Sequence, residues 1–457
     1  MTGESVPEPV PAAAPTLVRR LWQTVRTDAR RLKTTGVPHL FVALLLTQGI
    51  SMLRRIVLTR LLSVDELGQM TYVMQIADLL AVVVDLGLTT ALLKYAAEPI
   101  PDTERRRLYC SGLQWGVLTS CAGAAVYMAV VLLARVPADQ VLRTYMLMVT
   151  PYIPLAALAK IPIIFMQARK EIKRSARFTM LTQALSLVVL IGATWAFGLR
   201  GFFAAVIVAP LSNLSLLLAA TRRELRWYAP SIALFRKMLT FGFTSLLANS
   251  AGFATPVVTV VLLRHLTGSD EQVGLYAVAL LVMNATRLLP QALMQTAFPY
   301  LSGLLDNPLR LRARVRELAI KQTLVVAGLW LVWLLVGRQA IGWVLGARFV
   351  SAFGCSVVLM LTLLPYAVSA AAAQGLLALG AVRMNLLGDL TLLSLNALGC
   401  WLWIPRQGVL GAALAVVGAQ MVATCVVSFL FRRVVARKLR HVPAAPLVGQ
   451  AQQEGTS

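Results

Sequence analysis

Ionisable residues sit in stretches that are otherwise apolar, among them Arg54, Arg55, Asp78, Asp85, Lys160 and Arg287. A charge near the centre of a bilayer costs roughly 2.5 kcal/mol or more even on the mildest scales, so such residues face a bundle interior or a wet cavity. Helical spacing groups them with uncharged polar neighbours. Gln48, Ser51, Arg55 and Thr59 fall on one face of the first apolar stretch. Asp78 and Asp85 share a face two turns apart on the second. Asn284, Arg287, Gln291 and Gln295 make a polar stripe on the eighth, and Asn249 adds a polar group to the seventh. The cations Arg54, Arg55, Lys160 and Arg287 outnumber the two acids. A net basic cavity favours an anionic ligand such as a phosphate or pyrophosphate, because a guanidinium bonds two oxygens at once. Asp78 and Asp85 have two open roles: pairing with the arginines, or binding a coupling ion, H+ or Na+. Blander roles are open too. Arg54, Arg55 or Lys160 can snorkel to headgroups, and Asp389, near the start of its stretch, reads as structural.

The elements that must position these residues are long apolar helices. The chain has 457 residues, of which 58% are hydrophobic and 14% charged. A soluble protein of this size could not bury so much apolar surface. About twelve stretches are long enough to cross a bilayer, near 38–61, 69–94, 108–134, 142–167, 178–198, 201–220, 238–263, 273–298, 318–336, 353–378, 384–404 and 408–431. They do not alternate polar with apolar, which excludes a β-barrel. Prolines interrupt several: Pro151, Pro154 and Pro162 in the fourth, Pro256 in the seventh, Pro290 and Pro299 in the eighth, and Pro365 in the tenth. Each permits a kink, as a hinge or as fixed packing.

Two segments some two hundred residues apart are copies. Leu58 to Tyr72 and Leu262 to Tyr276 each end one span, cross an acidic turn and open the next at a glycine followed by tyrosine. Leu147 to Tyr152 resembles Leu359 to Tyr366, and Gly201-Phe202-Phe203-Ala204-Ala205 resembles Gly408-Val409-Leu410-Gly411-Ala412. An even number of spans per half makes these parallel repeats, with the substrate path between the halves. The expected organisation is a disordered basic tail at 1–37, an N-lobe at 38–220, a basic linker at 221–237, a C-lobe at 238–435 and a tail at 436–457.

The net charge of +24 reports orientation rather than nucleic-acid binding. Taking the N-terminus as inside, the outside loops hold Arg60, Arg135, Arg143, Arg200, Arg264, Arg338, Arg348 and Arg406, and most other cations fall inside. By the positive-inside rule both termini lie in the cytoplasm, next to anionic membrane lipids. The five cysteines and three histidines are scattered, with no metal-site spacing. No loop is long enough for a soluble catalytic domain, which argues against an enzyme such as a glycan polymerase or ligase.

The order of these motifs is similar to a known family. Leu58-Thr59-Arg60-Leu61-Leu62-Ser63 with Glu66-Leu67-Gly68 and Tyr72, the run Asp85-Leu86-Gly87-Leu88-Thr89-Thr90-Ala91-Leu92-Leu93-Lys94-Tyr95, then Val273-Gly274-Leu275-Tyr276-Ala277 and Phe298-Pro299-Tyr300-Leu301-Ser302, resemble the polysaccharide transporter family of bacterial flippases (Wzx-type). That family belongs to the multidrug/oligosaccharidyl-lipid/polysaccharide (MOP) superfamily. The resemblance implies a V-shaped bundle of two six-helix lobes in the bacterial inner membrane, its cavity lined largely by the first, second, seventh and eighth spans. It implies no cofactor, and as cargo an undecaprenyl-pyrophosphate-linked oligosaccharide, with polysaccharide polymerase machinery as a possible partner. Arg54, Arg55, Lys160 and Arg287 are then the expected headgroup ligands, and Gln48, Asn249, Asn284 and Gln291 the polar lining. The competing reading is a multidrug or cation antiporter of the same superfamily, which needs an acidic or aromatic cavity.

Overall fold

The computed structural model describes residues 37–134, 137, 139–226, 228–302 and 308–440, and leaves out some side chains, including that of Asn249. The tails expected at 1–37 and 436–457 lie outside the described residues, except that Val37 and residues 436–440 are helical.

Among the described residues there is no strand. The helices run α1 (Val37–Leu61), α2 (Val64–Val83), α3 (Leu88–Ala97), α4 (Asp102–Leu133), α5 (Gln140–Met148), α6 (Tyr152–Ala168), α7 (Ile172–Ala220), α8 (Ile232–Thr267), α9 (Asp270–Ser302), α10 (Pro308–Val344), α11 (Ala352–Leu361), α12 (Leu363–Ala378), α13 (Val382–Gln407) and α14 (Val409–Arg440). Among the described residues nine helical stretches are long and apolar enough to cross a membrane, or ten with the bent α2–α3 pair. α7 counts twice. At 49 residues it would be about 74 Å long, more than two hydrocarbon thicknesses. Gly198, at φ 60° and ψ −143°, folds it back on itself. α1, at 25 residues and about 37 Å, supplies the twelfth span.

Local signals set the ends. Ser63 accepts from the Glu66 amide while its own amide donates to the Glu66 carboxylate, a capping box that starts α2. Asp139 caps α5, and Ser231 caps α8. The fourth span breaks at Val149–Pro151, as its proline predicts. The tenth breaks at Thr362, so Pro365 sits in the first turn of α12, where its missing N–H costs nothing. The second span breaks by 43° without a proline, at Leu86 (φ 48°) and Gly87 (φ 72°). Pro256 and Pro290, expected to interrupt their spans, lie within unbroken α8 and α9.

The backbone gives the repeat a register that differs in part from the sequence match. Gly198 and Gly408 (φ 55°) are equivalent hairpin glycines. A β-carbon on Gly201 would strike the Ala193 carbonyl, and one on Gly411 the Trp403 carbonyl. Gly201 therefore pairs with Gly411 rather than Gly408, three residues from the expected alignment. Lys170 (φ 62°) and Gly380 (φ 75°) likewise end α6 and α12 in the same paired-bond motif: Glu171 N–H donates to Met166 O, and Ala381 N–H to Leu376 O.

The two halves touch at the end where the copied motif lies, here called the motif end. The opposite face is the basic end. At the motif end a core joins Leu67 of α2 with Leu275, Val278 and Leu281 of α9, Ile341 and Leu345 from the end of α10, and Phe349. α8 straddles the halves. Near the basic end its Phe235, Met238 and Phe241 pack among Leu88, Leu92, Tyr95 and Leu108. Farther along, Thr255 and Thr259 bond Asn396 of α13. Gly87 and Gly242 meet backbone to backbone, each blocking a β-carbon on the other. The linker is stitched to the first half. Thr221 bonds Tyr109 at 2.8 Å, and Glu224 takes Arg106 (2.6 Å) and Arg169 (2.7 Å).

Candidate functional site

Two chambers lie between the helices and share a wall. The smaller, about 290 Å³, is lined among the described residues by α1 and α9: Gln48, Ser51, Met52, Arg54 and Arg55 from one, and Leu281, Asn284, Arg287 and Gln291 from the other. The larger, about 410 Å³, lies within the first half and is lined from α1, α2, α6 and α7, with Ala277, Leu280, Leu281 and Asn284 of α9 closing one side. Arg54, Arg55, Leu281 and Asn284 line both. The i, i+4 rows seen in the sequence put those side chains on facing helix surfaces.

The residues expected from sequence divide as follows. Gln48, Arg54, Arg55, Asn284, Arg287 and Gln291 meet in the smaller chamber. Asp78 and Lys160 join Arg54, Arg55 and Asn284 in the larger. Asp85 lines neither and accepts from the Thr89 hydroxyl at 2.7 Å, at the start of α3. The Asn249 side chain lies outside the described residues.

The charges stay separate. No carboxylate lies within ion-pair distance of Arg54, Arg55, Lys160 or Arg287 among the described residues. Arg54 reaches only the Gln183 amide oxygen, at 3.5 Å. The Arg287 guanidinium lies 4.2 Å over the Tyr366 ring, and its Nε is buried without a partner. Asp78 accepts from the Tyr152 hydroxyl at 2.5 Å. Tyr152 and Tyr366 open the second pieces of the two broken spans. Each holds the charge of a neighbouring helix, one by its hydroxyl and the other by its ring face. The copied Pro-Tyr pairs were the signal for both. Gln75, Gln183, Ser186 and Asn213, also in the larger chamber, carry no such signal, because isolated polar residues in spans are common.

The arrangement can hold an anion on three unpaired guanidinium groups within a membrane, beside an amide-rich compartment with one carboxylate. At the motif end it is closed. A β-carbon on Gly68 would collide with the Asp270 carbonyl, and one on Gly274 with the Val64 carbonyl, so the two copied glycines are where α2 and α9 meet. Arg60 donates to the Trp343 and Val344 carbonyls, and Arg348 to the Arg60 (2.6 Å) and Thr59 (3.4 Å) carbonyls. Each arginine thus caps the other half's helix end. Arg264 bridges Asp270 (2.5 Å) and Asp139 (3.2 Å), and Gln69 donates to Asp270 at 3.0 Å.

Two duplicated six-span halves around polar chambers define a multi-pass membrane protein with the fold of MOP superfamily transporters. Solved structures share the fold, three of them as follows. An inward-facing multidrug resistance MATE family transporter of the MOP superfamily superposes with a TM-score of 0.72 at 13% identity, over 87% of this chain and 96% of that one. The lipid II flippase MurJ in an inward closed conformation gives 0.71 at 13% identity, over 88% and 91%. A MOP superfamily transporter from Pyrococcus furiosus, described as having a binding pocket of reverse polarity, gives 0.63 at 12%, over 88% and 95%. No curated protein sequence matches the chain. A family model described as polysaccharide biosynthesis protein matches residues 57–353, and the chain belongs to that family.

Proposed function

We propose that this protein is a flippase that moves an undecaprenyl-pyrophosphate-linked oligosaccharide repeat unit across the bacterial inner membrane for surface polysaccharide synthesis. The observation that carries the reading is the smaller chamber, where Arg54, Arg55 and Arg287 converge and, among the described residues, no carboxylate contributes to the lining. In a membrane such unpaired cations are costly, and a pyrophosphate repays that cost with charge-assisted hydrogen bonds. Its two-helix wall suits a substrate whose headgroup enters from the side while the lipid stays in the bilayer. With the basic end and both termini in the cytoplasm, the closed motif end faces outward and the cavity is in its inward state. The halves then rock about the bound headgroup. Asp78, held by Tyr152 in the larger chamber, is the candidate for coupling to H+ or Na+. Anionic lipids at the basic end and a polysaccharide polymerase are the proposed partners, and the chain itself performs no bond chemistry.

Asp78 and Tyr152 are also an acid and an aromatic facing a cavity, which favours a second reading as a multidrug or cation antiporter. A deletion strain separates the two. The flippase reading expects loss of surface polymer, accumulation of lipid-linked repeat units on the inner leaflet, and no rescue by Arg287→Ala at matched membrane levels. Unchanged polymer with raised sensitivity to cationic drugs would replace it with the antiporter.

A further inference from the structure

The two chambers differ in chemistry as well as in position. The smaller is lined by three guanidinium groups and, among the described residues, no acid, whereas the larger adds Lys160, a carboxylate and several amides to the shared Arg54 and Arg55. The Asp78 carboxylate repels a phosphate and offsets part of the cationic charge of Arg54, Arg55 and Lys160 there, which sets the larger chamber apart from the acid-free smaller one. Its remaining polar groups are short of partners. Gln75 makes no hydrogen bond among the described residues. Asn213 donates to Ser186 at 2.9 Å, but its amide oxygen is buried with nothing to accept from. Gln183 has only the long contact from Arg54. A buried polar atom left unpaired, as the Asn213 amide oxygen is, costs free energy that a ligand can return, and the half-buried Gln75 and Gln183 amides are open to one. Phe202 supplies an apolar stretch of the same wall. Mixed donors and acceptors beside an apolar face suit a polyol ring with hydroxyl edges and C–H faces. The volume, about 410 Å³, lies within the range of small-molecule sites, about 300–1,000 Å³.

Resting on the flippase reading, we infer that the first-half chamber is a glycan subsite, in which Gln75, Asp78, Gln183 and Asn213 recognise the hydroxyls of the sugar nearest the pyrophosphate. In this arrangement the pyrophosphate takes the α1–α9 chamber with its arginines and the adjoining sugar takes the first-half chamber. Arg54 and Arg55 stand at the junction, where the sugar–phosphate bond falls. The site discriminates between glycans because a mismatched sugar leaves the chamber amides unpaired.

The test is binding by the purified full chain in lipid nanodiscs. One probe is a polyprenyl pyrophosphate without sugar, and the other is the lipid-linked repeat unit extracted from the deletion strain. Wild type should bind the glycosylated lipid at least tenfold more tightly than the bare one. Gln75→Leu combined with Asn213→Leu should erase that difference while leaving bare-lipid binding within twofold. Arg55→Ala should weaken both probes together. Gln75→Ala alone, which removes no bond from the folded protein, should lower glycosylated-lipid affinity severalfold and keeps the test valid if the double variant misfolds. Equal loss of both probes in Gln75→Ala, or no preference for the glycosylated lipid in wild type, would overturn the subsite while the flippase reading stands. Failure of wild type to bind either probe would overturn both.

Discussion

Tyr152 and Tyr366 show how single residues hold charges in the membrane without neutralising them. Neither acid–base pairing nor snorkelling is needed to keep Asp78 and Arg287 in place, because a hydroxyl orients one and a ring face supports the other. A hydrogen bond to a charged acceptor is worth about 1.5–3 kcal/mol when enclosed, and about 1 kcal/mol here, where Asp78 faces a wet chamber. Tyr152→Phe should therefore lower thermal stability in detergent by about that much. Combining it with Asp78→Asn should cost no more than the worse single change, because both remove the same interaction. Additive losses in that double-mutant cycle would show that the two side chains act independently.

At the scale of helices, the determining contacts are between small residues. In lipid there is no hydrophobic drive to pair helices, so close backbone approach sets which ones meet. Gly68 and Gly274 provide that approach for α2 and α9, and Gly87 with Gly242 provides it for α3 and α8. Gly68→Ala should hold the motif end apart. Spin labels at Asp65 and Glu271, on a background with the exposed Cys121 and Cys425 changed to serine, should report a longer distance for this variant than for wild type. Gly418→Ala, where an added β-carbon meets nothing within 4 Å, should leave the distance unchanged. An unaltered distance in Gly68→Ala would remove the glycine contact from the gate.

For the whole molecule, the reciprocal capping by Arg60 and Arg348 makes closure at the motif end a property of both halves at once. Each arginine loses its carbonyl partners when the halves separate. Discounted for exposure, each contributes about 0.5–1 kcal/mol to the closed state. Removing both, as Arg60→Ala with Arg348→Ala, should shift the opening equilibrium by roughly five- to thirtyfold, read as the population of the long spin-label distance. Each single variant should give about half of that free energy. A population equal to wild type would mean that the backbone contact of α2 with α9 closes this end unaided.

The amino-acid sequence by itself determined the twelve spans, the duplication and the presence of charges within the bilayer. Those follow from hydropathy, from residue identity at matching positions and from the cost of desolvating a charge, all of which are local. It also put Gln48 and Arg55 on one helix face and Asn284, Arg287 and Gln291 on another, and these faces share a chamber that Arg54 joins. Only the tertiary structure decided that Asp85 turns away to Thr89 while Asp78 enters the cavity. On one helix face both were equivalent until the break at Leu86–Gly87 separated them. The true register of the repeat, the straddling path of α8 and the unpaired amides of the first-half chamber were likewise settled by packing. They depend on which side chains are small enough for helices to approach and on which groups then find no partner, and neither quantity is a property of any one stretch of sequence.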